Sequence, residues 1–135
     1  MIEDYASAFV ERAQDQAVLA KADRRIAAMH MGGIVIECRL KADYQSSFQT
    51  SPRRTHDLLA LAIGLNDLAE QQHLARPKFD EETIELIQKI NAPLDRPFIH
   101  LRYLGISPTD QDYMQWKVDF RTLQKRLNRI LGITP

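Results

Sequence analysis

The chain has 135 residues, 44% of them apolar and 27% charged, and its eighteen basic and eighteen acidic side chains cancel. That length suits one domain spanning 1–135 with a core of its own, and the neutral balance excludes a molecule that draws nucleic acid or anionic lipid over its whole surface. A single cysteine excludes an intrachain disulfide and a thiolate zinc site, which suits a reducing cytoplasm.

The opening MIEDYASAF is acidic and lacks the apolar run of a signal peptide. No stretch approaches the roughly 20 apolar residues of a membrane span. The expectation is a soluble cytoplasmic domain with no membrane contact.

Residues 2–21 read as a first helix, with a narrow stripe of Tyr5, Phe9, Ala13, Ala17 and Ala20 and with Lys21 near its end to suit the helix dipole. Asp23 is the candidate N-cap of the next helix, but nothing between the two stops a helix, so a kink and a continuous rod both fit. The central stretch, Arg24 to Phe48, has no proline. Its apolar residues fall in two rows, Ile26, Met29, Gly33, Ile36 and Leu40 beside Met31, Val35, Cys38 and Ala42. A helix apolar over so much of its circumference belongs in the middle of a bundle. Gly32 and Gly33 each cost about 1 kcal/mol against Ala inside it. A close helix–helix crossing at Gly33 is the predicted compensation.

Ser51-Pro52 reads as an N-cap followed by proline at the first helical position, opening a third helix from Pro52 to Gln72. Leu58, Leu61, Ala62, Leu65, Leu68 and Ala69 form its apolar face. After the loop HLARPKF, Asp80 caps a fourth helix with Phe79 placed to staple onto Ile84. Ile84, Ile87 and Ile90 point inward there, and Pro93 ends it. Residues 93–108 read as an ordered connection with a short helical turn around Ile99 to Tyr103. Ser107-Pro108-Thr109-Asp110 restarts a helix whose stripe is Tyr113, Trp116, Phe120, Leu123, Leu127 and Ile130, with Gly132 at its C-cap. No strand-length alternation interrupts the pattern. The predicted fold class is all-α, an antiparallel bundle of about five helices.

Three groups of residues are candidates for chemistry. His30, Glu37 and Lys41 stand seven and four apart on one helix face, with Glu37 and Lys41 in the favourable order for an ion pair. They fit a half-buried pair satisfied locally; the functional alternative is a polar ligand slot beside Gly32 and Gly33. Arg96, His100, Arg102 and Tyr103 fall within eight residues of the ordered connection, and all four bind phosphate or stack on a base. His56, behind Arg53 and Arg54, extends that cationic edge. Lys117, Arg121, Lys125 and Arg129 recur at four-residue steps, a spacing that suits a solvated face or a nucleic-acid stripe. Histidines 30, 56, 73 and 100 are too scattered for a metal site, and no glycine-rich loop cradles a phosphate or cofactor.

The phrases MHMGGIVIECRLKA, THDLLALA and HLRYLG resemble the HEPN domain, the higher-eukaryote and prokaryote nucleotide-binding helical family, and follow its element order over nearly the whole chain. The resemblance implies a helical bundle, often homodimeric, encoded beside a nucleotidyltransferase partner in bacterial toxin–antitoxin or defence systems and associated with RNA or nucleotides. It also implies a metal-independent ribonuclease as an alternative, with Arg96 and His100 as catalytic residues at a dimer interface. Catalytic members place four to six residues between Arg and His. Three separate Arg96 from His100, and four separate Arg25 from His30. A purely structural interaction domain is the third expectation.

Overall fold

The structure is a computed structural model that describes residues 3–75 and 77–132. Five α-helices account for most of it: α1 Tyr5–Lys21, α2 Arg25–Ser47, α3 Leu58–Gln71, α4 Glu81–Asn91 and α5 Asp110–Leu131. Two short 3₁₀ turns, Pro93–Asp95 and Phe98–Tyr103, connect α4 to α5. No strand occurs among the described residues, and the fold is an all-α bundle. The first predicted helix began at Ile2 and one predicted loop contains Arg76; both residues lie outside the described range.

The organising element is α2, which packs against every other α-helix and against the second 3₁₀ turn. From Gly32 to Tyr44 every residue except Ile34 is buried. A helix enclosed on all sides explains why its sequence is apolar over two adjoining rows. The predicted core residues Met29, Ile36, Leu40, Leu58, Leu61, Leu65, Ile87, Trp116, Phe120, Leu123 and Leu127 are buried, while Ile26, Leu68 and Ile84 pack against the core from its edge.

The helix boundaries follow capping chemistry, with two departures from the sequence reading. Asp23 does not cap α2: it takes a left-handed conformation with φ 56° and turns the chain, and Arg24 occupies the cap position with no side-chain bond. Aspartate is among the few L-residues that visit this region readily, and its carboxylate accepts from Arg25 Nε at 3.0 Å. Ser51-Pro52 does not open α3 either. Residues 52–57 are irregular, and Asp57 is the cap, accepting from the backbone N–H groups of Leu59 and Ala60. Nothing between Pro52 and Asp57 is apolar enough to bury, so the helix starts with its first fully buried residue, Leu58. Asn91 at the end of α4 completes the joint, donating to Asp57 and accepting from Leu58 N–H.

Asp80 caps α4 and Thr109 caps α5, each accepting a backbone N–H three residues on. Gly132 closes α5 in the left-handed conformation at φ 67°, where a Cβ is penalised. Between α4 and α5, Leu94 and Asp95 are also left-handed, at φ 55° and 59°, which costs about 1–2 kcal/mol per residue. Burial of Pro93, Phe98 and Leu101 offsets that strain. The connection is therefore anchored to the bundle at those residues.

Candidate functional site

The site is assembled from α2, the cap of α3 and the second 3₁₀ turn. Glu37 and Lys41 lie one helical turn apart on α2, with the Lys41 ammonium 3.0 Å from Glu37 Oε2. Both are almost fully buried, at 7% and 6% exposure. His56, immediately before the α3 cap, reaches over so that its Nδ1 lies 2.8 Å from Glu37 Oε1. Each carboxylate oxygen thus has one partner, and the ring of Tyr5 covers the Lys41 ammonium at 5.4 Å. Buried charges persist when they are paired and hydrogen-bonded. A carboxylate only accepts, so His56 donates through Nδ1–H; in the neutral imidazole the other nitrogen, Nε2, is then the acceptor.

His30 is two turns earlier on α2. Its Nε2 is buried and has no partner among the described residues, and its ring lies 6.3 Å from that of Phe98. Burial and then the nearby charge of Arg102 hold His30 below its ordinary titration range, with a further push down from His56 and an opposing pull from Glu37. The stability consequence has a definite sign. The unfolded chain binds this proton more readily than the folded one, so His30 destabilises the fold as pH drops below about 6.5. The loss stops where folded His30 itself takes up the proton. Urea midpoints between pH 5 and 7.5 are expected to fall toward acid in the parent and to fall less steeply in His30→Asn; parallel slopes would remove His30 as the cause.

Phe98 explains the second glycine of α2. A Cβ on Gly33 would overlap the edge of the Phe98 ring, and one on Gly32 would come to 2.5 Å from Trp116 on α5. The close approach expected at Gly33 is therefore real, but its partner is the 3₁₀ turn; the helix crossing belongs to Gly32. Fixed at Phe98 and Leu101, the turn leaves Arg102 on the surface, its guanidinium 4.9 Å over the exposed ring of Tyr103. Tyr103 is 75% exposed and does not plug the bundle.

Arg102 and His30 face a cleft of about 580 Å³ together with Arg24, Leu104, Gly105 and Ile106. Arg25 and Asp23 border the same cleft and neutralise each other at 3.0 Å, Arg25 also lying 2.6 Å from Asp110 on α5 and stacked over Tyr113 at 5.0 Å. Arg24 and Arg102 form no ion pair among the described residues. Two guanidiniums without an ion pair among the described residues thus line one opening with the His30 ring, whose Nε2 is buried.

No family model, curated protein or solved structure matches the chain.

Of the eight predicted site residues, Glu37, Lys41 and His56 come together directly, and His30 and Arg102 lie close enough for the Arg102 charge to perturb His30. Arg96 and His100 are both exposed, Arg96 between the two 3₁₀ turns and His100 within the second. On α5, Arg121, Lys125 and Arg129 are exposed, while Lys117 lies over the Tyr113 ring. Sequence reasoning missed Phe98, Tyr5 and the buried Arg39, whose guanidinium lies over the Phe9 ring and donates to Asn128. The proline before Phe98 was the available signal for a held aromatic. Cys38 is buried, its thiol pushed up to about 11 chiefly by that burial, and so is a poor nucleophile. Among the described residues no cluster of His, Cys, Asp or Glu could hold a metal ion, and no helix is long and apolar enough to cross a membrane.

Proposed function

We propose that this chain is a nucleotide- or RNA-associated, HEPN-like component of a bacterial toxin–antitoxin or defence system, acting with a nucleotidyltransferase partner, and that it takes the ligand's phosphate in the cleft between Arg24, His30 and Arg102. The observation that carries the reading is the buried His30 Nε2 without a partner, in a cleft whose free cations are Arg24 and Arg102. Buried polar atoms are almost always satisfied, and those that are not call for an explanation. An anion supplies one here. It accepts from both guanidiniums and favours the protonated imidazole, so affinity rises as pH falls.

The phrases MHMGGIVIECRLKA and THDLLALA support the family half of the reading, because they contain the residues of the Glu37–Lys41–His56 network. Met114 and Val118, one turn apart and each 56% exposed on α5, suit a second copy of the chain. The second reading, a metal-independent ribonuclease, rests on Arg96 and His100 standing exposed on one anchored connection.

The test is a titration of the intact chain with short RNA and with mononucleotides at two salt concentrations, beside thermal melts. Arg102→Ala is expected to weaken binding about tenfold or more, the range of a lost charge-assisted contact, with unchanged melting. The deficit should shrink at high salt. Equal binding by parent and variant would retire the cleft. Metal-free RNA cleavage abolished by His100→Ala would install the ribonuclease.

A further inference from the structure

A second cleft, of about 410 Å³, opens at the start of the second 3₁₀ turn, lined by Thr55, His56, Gln88, Pro97, Phe98 and Ile99. Its chemistry differs from that of the first. No lysine or arginine lines it, and Asp57 adds a carboxylate at the rim. An anionic group gains nothing there and meets a like charge. Pro97, Ile99 and the edge of buried Phe98 supply an apolar floor.

Two polar groups stand over that floor with opposite hydrogen-bonding sense. His56 Nδ1 is committed to Glu37, so in the neutral imidazole Nε2 is left as an acceptor. The Gln88 carbonyl is committed to Asn91 Nδ2 at 3.1 Å, so its NH₂ remains as a donor. Thr55 Oγ1 already accepts from Asp57 N–H, and the Asn91 amide is spent on Asp57, Gln88 and Leu58. An acceptor and a donor above an apolar floor complement a flat, uncharged heterocycle whose edge carries both an N–H and a carbonyl or ring nitrogen.

We propose that this cleft seats the nucleobase of the ligand, with His56 Nε2 accepting an N–H from the base edge and the Gln88 amide donating to it. Glu37 is the positioning residue: its grip on Nδ1 fixes the His56 tautomer and ring plane. The inference rests on the nucleotide reading in that the phosphate goes to the Arg24–Arg102 cleft. Phe98 is common ground, since it lines the base cleft and its ring lies beside His30.

The experiment separates the two seats by using adenosine and uridine, which carry no phosphate, and inorganic phosphate, which carries no base, as probes of the intact chain in calorimetric or NMR titrations. In His56→Asn the amide NH₂ stands where Nδ1–H stood, so Glu37 keeps its partner while Nε2 is gone. Nucleoside affinity is expected to fall about threefold to tenfold, the loss of one neutral hydrogen bond, with phosphate binding and melting unchanged. Gln88→Glu is the second variant. It lies on the exposed face of α4, keeps the acceptor for Asn91 and replaces the donor, and it should weaken nucleosides similarly. Arg102→Ala should do the reverse, losing phosphate and keeping nucleoside. If nucleosides bind both base-cleft variants as well as the parent, or do not bind the parent at all, the base seat is wrong. Intact phosphate binding in Arg102→Ala together with nucleoside loss in His56→Asn would overturn the phosphate cleft alone and leave the base seat standing. Should His56→Asn fail to fold, Gln88→Glu decides.

Discussion

Gly33→Leu is expected to leave no folded domain at physiological temperature. A single Cβ at that position already overlaps the edge of the Phe98 ring, and leucine adds three further carbons. Phe98 is 1% exposed and packed on α2, and moving into the cleft that it lines would forfeit that burial. Dense interiors do not absorb inserted volume, and overpacking by a methylene or two typically costs 1–3 kcal/mol. A whole isobutyl group belongs with the exceptional effects above about 4 kcal/mol, a large share of the total stability of a domain this size. Gly33→Ala is the graded form, expected to cost about 1–3 kcal/mol. Pairing it with Phe98→Leu should return part of that loss, since residues in contact are coupled energetically. Thermal melts and gel filtration of the four proteins check this. A soluble Gly33→Leu variant with unchanged melting and elution would mean that Phe98 swings out of its seat, and the cleft lined by His56 and Gln88 would lose part of its wall with it.

The same residue shows how far the sequence carries the fold. Two glycines inside an otherwise strong helix pattern announce a close approach, because nothing else repays their cost. They do not announce the approaching group. For Gly32 it is Trp116, already placed by its own helical stripe on α5. For Gly33 it is Phe98, from a segment whose prolines interrupt every periodic pattern and leave only its apolar content to read. Helix starts were legible where one strong cap stood alone, as at Asp80, and were blurred or misread where two competed, as at Ser107 with Thr109 and at Ser51 with Asp57. Ser51-Pro52 carries the sharper local signature, yet Asp57 prevails because Asn91, thirty-four residues away, holds its carboxylate. No local window contains that information. The site was legible by face: the seven- and four-residue steps from His30 to Glu37 to Lys41 are helical geometry. That His56 would reach Glu37 depended on where α3 begins, the very boundary that local signals misplaced.

Glu37→Leu is expected to cost about 3–5 kcal/mol, because it leaves the Lys41 ammonium buried with no counter-charge. The ammonium stands 3.0 Å from the carboxylate it would lose, and the Tyr5 ring above it at 5.4 Å returns only a fraction of that attraction. The size of the loss does not measure the worth of the pair. Replacing both partners with apolar residues of similar volume removes the stranded charge, and such replacements are often neutral or stabilising. Glu37→Leu/Lys41→Met should therefore recover most of the stability lost in the single variant. Recovery of stability is not recovery of the site. In both variants His56 loses the acceptor that fixes its ring, so both should bind nucleosides more weakly than the parent, the double variant while melting near the parent temperature. Chemical denaturation of the parent, the two single variants and the double closes the thermodynamic cycle. A single variant within 1 kcal/mol of the parent would show that Lys41 escapes past Tyr5 to water once released. The pair would then be an ordinary contact at the edge of the core, and the fixed orientation of His56 would have to come from the cap of α3 alone.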